Sequence, residues 1–199
     1  MKKGLIGIIV IVAVIALFGM WYVSANNTLV EMKGQATKQW ANVESSYQRR
    51  SDLIGNLVKT VQGAADFERG TLTDVIEARS KATSTTIDAN NLTPDKMAAF
   101  QQAQSGLTGA LSKLMVVVER YPELKANQNF LDLQSQIEGT ENRINVERNR
   151  FNDLAGEYNI KIAKIPTNII ASLTGFQQLS LFSANRGAEN APDVNFDFN

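Results

Sequence analysis

The sequence predicts an all-α protein: a single N-terminal transmembrane helix followed by an antiparallel up-down bundle of four long helices, or of three with a kinked first one. Two observations carry this. An uncharged stretch long enough to cross a bilayer opens the chain. From Asn26 to Pro166 apolar residues then recur at spacings of three and four, with no sustained period-2 alternation.

The uncharged stretch, Gly4 to Ala25, has 22 residues. As a helix it spans roughly 33 Å, the thickness of a hydrocarbon core. Trp21 and Tyr22 close it, where amphipathic rings favour the headgroup layer, and form the expected anchor belt. Lys2 and Lys3 precede it and resist translocation, which predicts a short cytoplasmic N-terminus. The rest is then exported: one pass through the inner (cytoplasmic) membrane, with the bundle on the periplasmic or extracellular side. Val23-Ser24-Ala25 would also suit a signal peptidase, so cleavage is the competing reading. The stretch exceeds the usual signal core of about 7–15 residues, which favours a retained anchor over residues 1–25.

The bundle is expected over residues 26–166. Ala36, Trp40, Val43, Tyr47, Arg50, Ile54, Leu57, Val61 and Ala64 place one stripe on a first helix running from 29 to 69. Gly70 interrupts it, and Thr71-Leu72-Thr73-Asp74 resembles a capping box opening a shorter helix to about Thr83. Thr93-Pro94 pairs an N-cap with a proline at the first helical position. Met97, Phe100, Gln104, Leu107, Leu111, Leu114, Val118 and Tyr121 then share a face until Pro122. The last long helix, 128–165, carries Phe130, Ile137, Glu141, Ile144, Arg148, Phe151, Tyr158, Ile162 and Ile165, and Pro166 ends it. The two longest helices are each roughly 60 Å and match if antiparallel. Residues 167–199 are expected to form a short apolar helix and an extended tail in which Val194, Phe196 and Phe198 alternate.

Composition removes most chemistry. There is no Cys and no His, which excludes disulfides, Cys/His zinc sites, thiol nucleophiles and His general bases. Lys plus Arg is 20 and Asp plus Glu is 20, a balance unlike a nucleic-acid footprint. No phosphate-cradling glycine loop and no Ser-x-x-Lys occurs. The reading is therefore non-enzymatic, with no catalytic residue, cofactor or metal expected. Arg49-Arg50-Ser51-Asp52 could hold an anion, and Glu68, Asp74 and Glu77 a hard cation, but pairing inside the bundle and a solvated face account for them more simply.

Several words resemble the LemA family. They are Gln39-Trp40-Ala41-Asn42-Val43, Gln48 to Val58 (QRRSDLIGNLV), Tyr121-Pro122-Glu123-Leu124-Lys125-Ala126, Thr140-Glu141-Asn142-Arg143-Ile144, Tyr158-Asn159 and Gly175-Phe176. The similarity runs from about Leu29 to Phe196. Gly55 stands where that family usually has Pro, and Phe67-Glu68 where it has His-Glu. The resemblance implies a membrane helix, a soluble helical bundle, no established catalysis, and a setting near envelope stress or membrane-protein quality control. The family is sometimes described with its N-terminus outside, whereas Lys2 and Lys3 argue the reverse here.

The expected function is a membrane-anchored scaffold or adaptor of the bacterial envelope, partnered by the membrane, by other envelope proteins or by copies of itself. The alternative is a ligand-sensing helical module that signals through a membrane partner. Two residue sets matter to either. Placing Gln128 level with Arg69 brings Arg50 within reach of Glu141, in a structural polar layer with Arg148 and with Glu147 as reserve partner. Ile169, Ile170, Leu173 and Phe176 offer a membrane-interface face near the returning end of the last helix.

Overall fold

The computed structural model describes residues 2–63 and 68–183, with side chains from Gly4 onward. Every regular element among them is helical. Helix α1 spans Lys2–Gln62, α2 Arg69–Ser84, α3 Pro94–Val118, α4 Pro122–Lys125, α5 Gln128–Ala163 and α6 Thr167–Thr174.

The apolar anchor and the first helix of the body are one helix. α1 has 61 residues, about 92 Å of continuous rod. The polar Asn26-Asn27-Thr28 step does not break it, and the Thr28 hydroxyl donates to the Ser24 carbonyl one turn back, at 2.9 Å. Residues of the opening stretch are exposed up to Met20, as a span awaiting lipid would be.

Three sequence expectations need correction. α1 stops at Gln62 rather than 69, and Arg69 belongs to the next helix. Ala64, the last residue of the expected stripe, lies outside the described residues. The capping box does not form. α2 begins two residues before Thr71, Glu68 is the N-cap, and the Thr73 hydroxyl bonds back to the Arg69 carbonyl from inside the helix. Ile165, placed on the buried stripe, falls beyond the end of α5 and is 83 % exposed. The alternation of Val194, Phe196 and Phe198 also lies outside the described residues. Pro94 opens α3 as expected, but α3 stops at Val118, so Tyr121 falls beyond it, and Pro122, expected as a stop, opens the single turn α4. The Asn127 side chain caps α5 by accepting from the Phe130 N–H.

α1 and α5 run antiparallel, since Gln39 meets Glu147 while Arg50, further along, meets Glu141 further back. Their register differs from expectation by six residues, ~9 Å, because Glu141 was placed opposite position 56 and sits at Arg50. The error follows from using Arg69 as the end of α1. α2 lies against α1, where Arg79 Nε donates to the Ser51 carbonyl at 2.7 Å, and α3 reverses along α2 between Glu68–Arg120 and Ala82–Gln104. Gly55 makes room for this: a Cβ there would come within 3.2 Å of the Arg79 guanidinium.

The apolar interior is in two parts. One cluster, at the anchor end, gathers Leu29, Trp40, Tyr47, Phe100, Ile144, Phe151, Tyr158, Ile170 and Phe182. The other, at the far end, gathers Leu53, Leu57, Val61, Val75, Leu107, Leu114, Phe130 and Ile137. Trp40 is the centre of the first, its indole 5.3 Å from the Phe151 ring and stacked at 5.5 Å on Phe182.

Phe182 reaches Trp40 because the chain after α6 returns along α5. Gly175, at φ 77°, ends α6, and the Phe176 N–H bonds to the Ala171 carbonyl. Two asparagines then hold the extended segment. Asn159 pairs with both backbone groups of Leu179, at 2.8 and 2.9 Å, and Asn152 with both of Phe182, each at 2.9 Å. The spacings agree: seven helical residues rise ~10.5 Å, and three extended residues cover ~10 Å. Side-chain amides thus stand in for a neighbouring strand. Replacing either asparagine with alanine should leave two backbone groups of the tail unpaired and weaken it by about 1–3 kcal/mol. Hydrogen exchange at Leu179 and Phe182 should rise while α5 stays protected; unchanged exchange would refute the clamp.

Candidate functional site

Among the described residues of the helical body, Arg50 is the charged one buried deepest, at 3 % exposure, and it lies between the two apolar clusters. It occupies an apolar-stripe position of α1, so the helix that buries Trp40 and Leu57 must bury it too. Its Nη1 donates to Glu141 Oε1 at 2.5 Å and to Thr108 Oγ1 at 3.3 Å. Its Nη2 donates to Gln104 Oε1 at 2.6 Å, and Gln104 Nε2 continues to the Ala82 carbonyl at 3.2 Å. One guanidinium therefore ties α1 to α3 and α5, and through Gln104 to α2. The Tyr47 ring lies 5.0 Å from its Cζ. Nε finds no acceptor among the described residues, so the layer leaves one donor unmet.

A second polar contact sits one step nearer the anchor. Gln39 Nε2 donates to Glu147 Oε2 at 2.7 Å and to the Glu147 carbonyl at 3.1 Å, and Asn42 donates to Gln39 Oε1. Glu147, the reserve partner for Arg50, is thus engaged with Gln39, with Arg150 at 3.6 Å and Arg143 at 3.8 Å. Periodicity could not find this pair, because Gln39 and Glu147 stand beside the stripes rather than on them.

Arg148 lines the layer's edge beside Tyr47 and also reaches the tail. Its guanidinium lies 4.6 Å over the Phe182 ring and donates to the Ser183 carbonyl at 3.3 Å, so it binds the tail. The expected interface set divides as well. Ile169 and Leu173 are exposed, Ile170 is 1 % exposed inside the first cluster, and Phe176 is half-buried with its ring 6.4 Å from Tyr158. The reason is helical: Ile170 and Ala171 share the face of α6 turned to the body, while Ile169 and Leu173, four apart, share the other. Trp21 and Tyr22 are half-buried, packed against the first cluster. Of the other candidates, Asp52 accepts from Gln48, and Glu68 pairs with Arg120 at 2.9 Å.

Between Arg50 and Arg148 the layer opens on a cleft of about 360 Å³ that also exposes Tyr47, Gln101, Glu141 and Asn145. Burial pushes the Tyr47 phenol above its ordinary value, against the opposing pull of Arg148 and Arg50. Burial does the same to Tyr158, whose hydroxyl donates to the Gln177 carbonyl at 2.9 Å. The cleft, whose lining also includes Ser105 and Thr108, offers hydrogen bonds and fixed charge.

The pattern that defines the LemA family matches residues 39–196. This chain belongs to the LemA family. Its relatives include magnetosome protein MamQ 2 and MamQ 1 of Paramagnetospirillum magneticum, each 29 % identical over 89 % of this chain and 70 % of theirs. Protein LemA of Metamycoplasma hominis is 25 % identical over 89 % of this chain and 78 % of its own. The words carrying the LemA resemblance coincide with the contacts above. Gln39, Trp40 and Asn42 come from one, Arg50 from another, and Glu141 and Asn159 from two more. In this LemA-family chain those words join helices to each other and, through Asn159, hold the tail on α5.

Two outcomes are expected of the layer. Glu141 is 35 % exposed and can turn to water if Arg50 is lost, whereas Arg50 cannot if Glu141 is lost. Glu141→Leu should therefore cost about 3 kcal/mol, the penalty of an unpaired buried charge, and Arg50→Met about 1 kcal/mol. The double variant should be more stable than Glu141→Leu alone in denaturant titrations of the detergent-solubilised chain. Equal, additive effects would mean that the pair contributes nothing specific. The tyrosines set an alkaline limit. A folded-state value raised above 10.0 leaves stability intact below that pH and removes it as pH climbs through the raised value. Thermal midpoints should fall steeply above about pH 10, and less so in Tyr47→Phe.

Proposed function

We propose that this LemA-family protein is a non-enzymatic scaffold of the bacterial envelope. It crosses the inner membrane once, with a short cytoplasmic N-terminus and an exported up-down bundle built from α1, α2, α3 and α5. One observation carries the reading: the exposed apolar rod and the innermost helix of the body are a single uninterrupted α1. A body fixed to its anchor without a hinge is held at a set height and angle, which suits presenting surfaces to neighbours. The helix-joining role of the family's words supports the same reading, since it leaves the outward faces free to differ. Relatives named for the magnetosome stand beside one named only LemA. We take the shared body to be a module used in more than one setting, with partners that include other envelope proteins or further copies of this chain.

Orientation and retention of the anchor are testable together. The chain has no Cys, so Ser84→Cys and Ser183→Cys, both at exposed positions, give a clean signal. In intact cells both should react with a membrane-impermeant maleimide, and the labelled chain should keep residues 1–25. Labelling only after lysis would reverse the orientation, and a product shortened by those residues would remove the anchor.

A further inference from the structure

The body meets the span through α6. The span's residues are exposed up to Met20, and the first covered ones are Trp21 and Tyr22. α6 packs on α1 as well as on α5, and Ile170, Ala171 and Leu29 belong to the cluster that Trp21, Tyr22 and Ala25 pack against. This eight-residue helix therefore belongs to the packed cluster that also covers the end of the rod's apolar stretch. Its outer face is Ile169, 58 % exposed, and Leu173, 75 % exposed, with Ile165 at 83 % just before it. No charged residue occurs from Ile165 to Ser183, and Lys161 and Lys164 precede the segment.

We infer that α6 is an interfacial foot: Ile165, Ile169 and Leu173 enter the headgroup–acyl boundary beside Trp21 and Tyr22 while Ile170 and Ala171 hold the body. The occupant is lipid, because this face continues an apolar span that already ends at aromatic belt residues. Lys161 and Lys164, on the approach, suit anionic headgroups. A second point of contact beside the span restrains the tilt and rotation of α1, which one helix through a fluid bilayer does not do by itself. The foot rests on the anchor reading above and adds to it a site where the body itself touches lipid. Phe176, half-buried against Tyr158, is outside the lipid-facing set.

The test uses the full chain in vesicles of phosphatidylcholine and phosphatidylglycerol, with and without bromine on the acyl chains. Ile169→Cys and Leu173→Cys would each carry a nitrobenzoxadiazole label. Val116→Cys, 72 % exposed near the far end of α3, is the reference. The foot is supported if labels at 169 and 173 emit at shorter wavelength and are quenched by brominated lipid while the label at 116 is not. It is overturned if vesicle-bound chain shows all three labels in water, an outcome that leaves the anchor standing. Shielded but unquenched labels, with disulfides forming between unlabelled Leu173→Cys chains, would assign the face to a second copy and overturn the foot. A chain that does not float with vesicles would overturn the anchor and the foot together.

Discussion

The buried guanidinium of Arg50 is the constraint to which the rest of the body is fitted. A charge at 3 % exposure between two apolar clusters is tolerated only while its acceptors stay in place. Those acceptors come from three residues: Glu141 on α5, and Gln104 and Thr108 on α3. Apolar clusters alone would accept several sliding arrangements, since Leu and Ile faces pack about equally well one turn apart. The layer does not: shifting α1 by one turn moves Arg50 ~5.4 Å and strands it. Gln39 and Glu147 apply the same restriction nearer the anchor. Packing supplies the stability here, and the polar contacts select one register.

Much of this was legible in the sequence, and the failures have physical causes. Periodicity located the long helices and the core residues on their main stripes, because each long helix buries one stripe; it missed flanking and loop positions such as Leu53, Val58, Ile87, Leu92 and Leu124. It also placed Arg50 and Glu141 on facing stripes, where a charge among apolar neighbours must find its opposite. It misplaced the end of α1, since the apolar pattern continues through Val61 and Ala64 and outweighed Gly63, the stop signal directly after Gln62. The six-residue register error came from that one boundary. The family resemblance was shown independently of any periodicity, by the match over residues 39–196.

The tail was hardest to read. An uncharged segment after Pro166 invites a single amphipathic reading, yet it divides at Gly175 into a helix and an extended strap. The strap's partners are side-chain amides on a helix, and no propensity rule points to a strand bound in that way. The signal was present all the same, in two asparagines seven residues apart on a stripe of α5 that borders its core stripe. Arg148 shows the companion difficulty. It sits on the buried stripe as Arg50 does, but the tail supplies an aromatic ring and a carbonyl that sequence spacing alone cannot bring near.

These constraints bear on the choice between scaffold and sensor. Signalling through α1 needs two arrangements of that helix separated by only a few kcal/mol, each favoured by a different ligand state. Sliding α1 would break the Arg50 contacts, the Gln39–Glu147 pair and the Trp40 stack together, because all three are made by one rigid helix. Rotating it would carry Trp40 out of the first cluster and expose its stripe. The strap resists both, since Phe182 closes over Trp40 while Asn152 and Asn159 fix the strap to α5. A helix so held in position favours the proposed scaffold over a sensor that would need α1 to move. The face of the body set by that position, not a moving α1, is where partners of this protein should be sought.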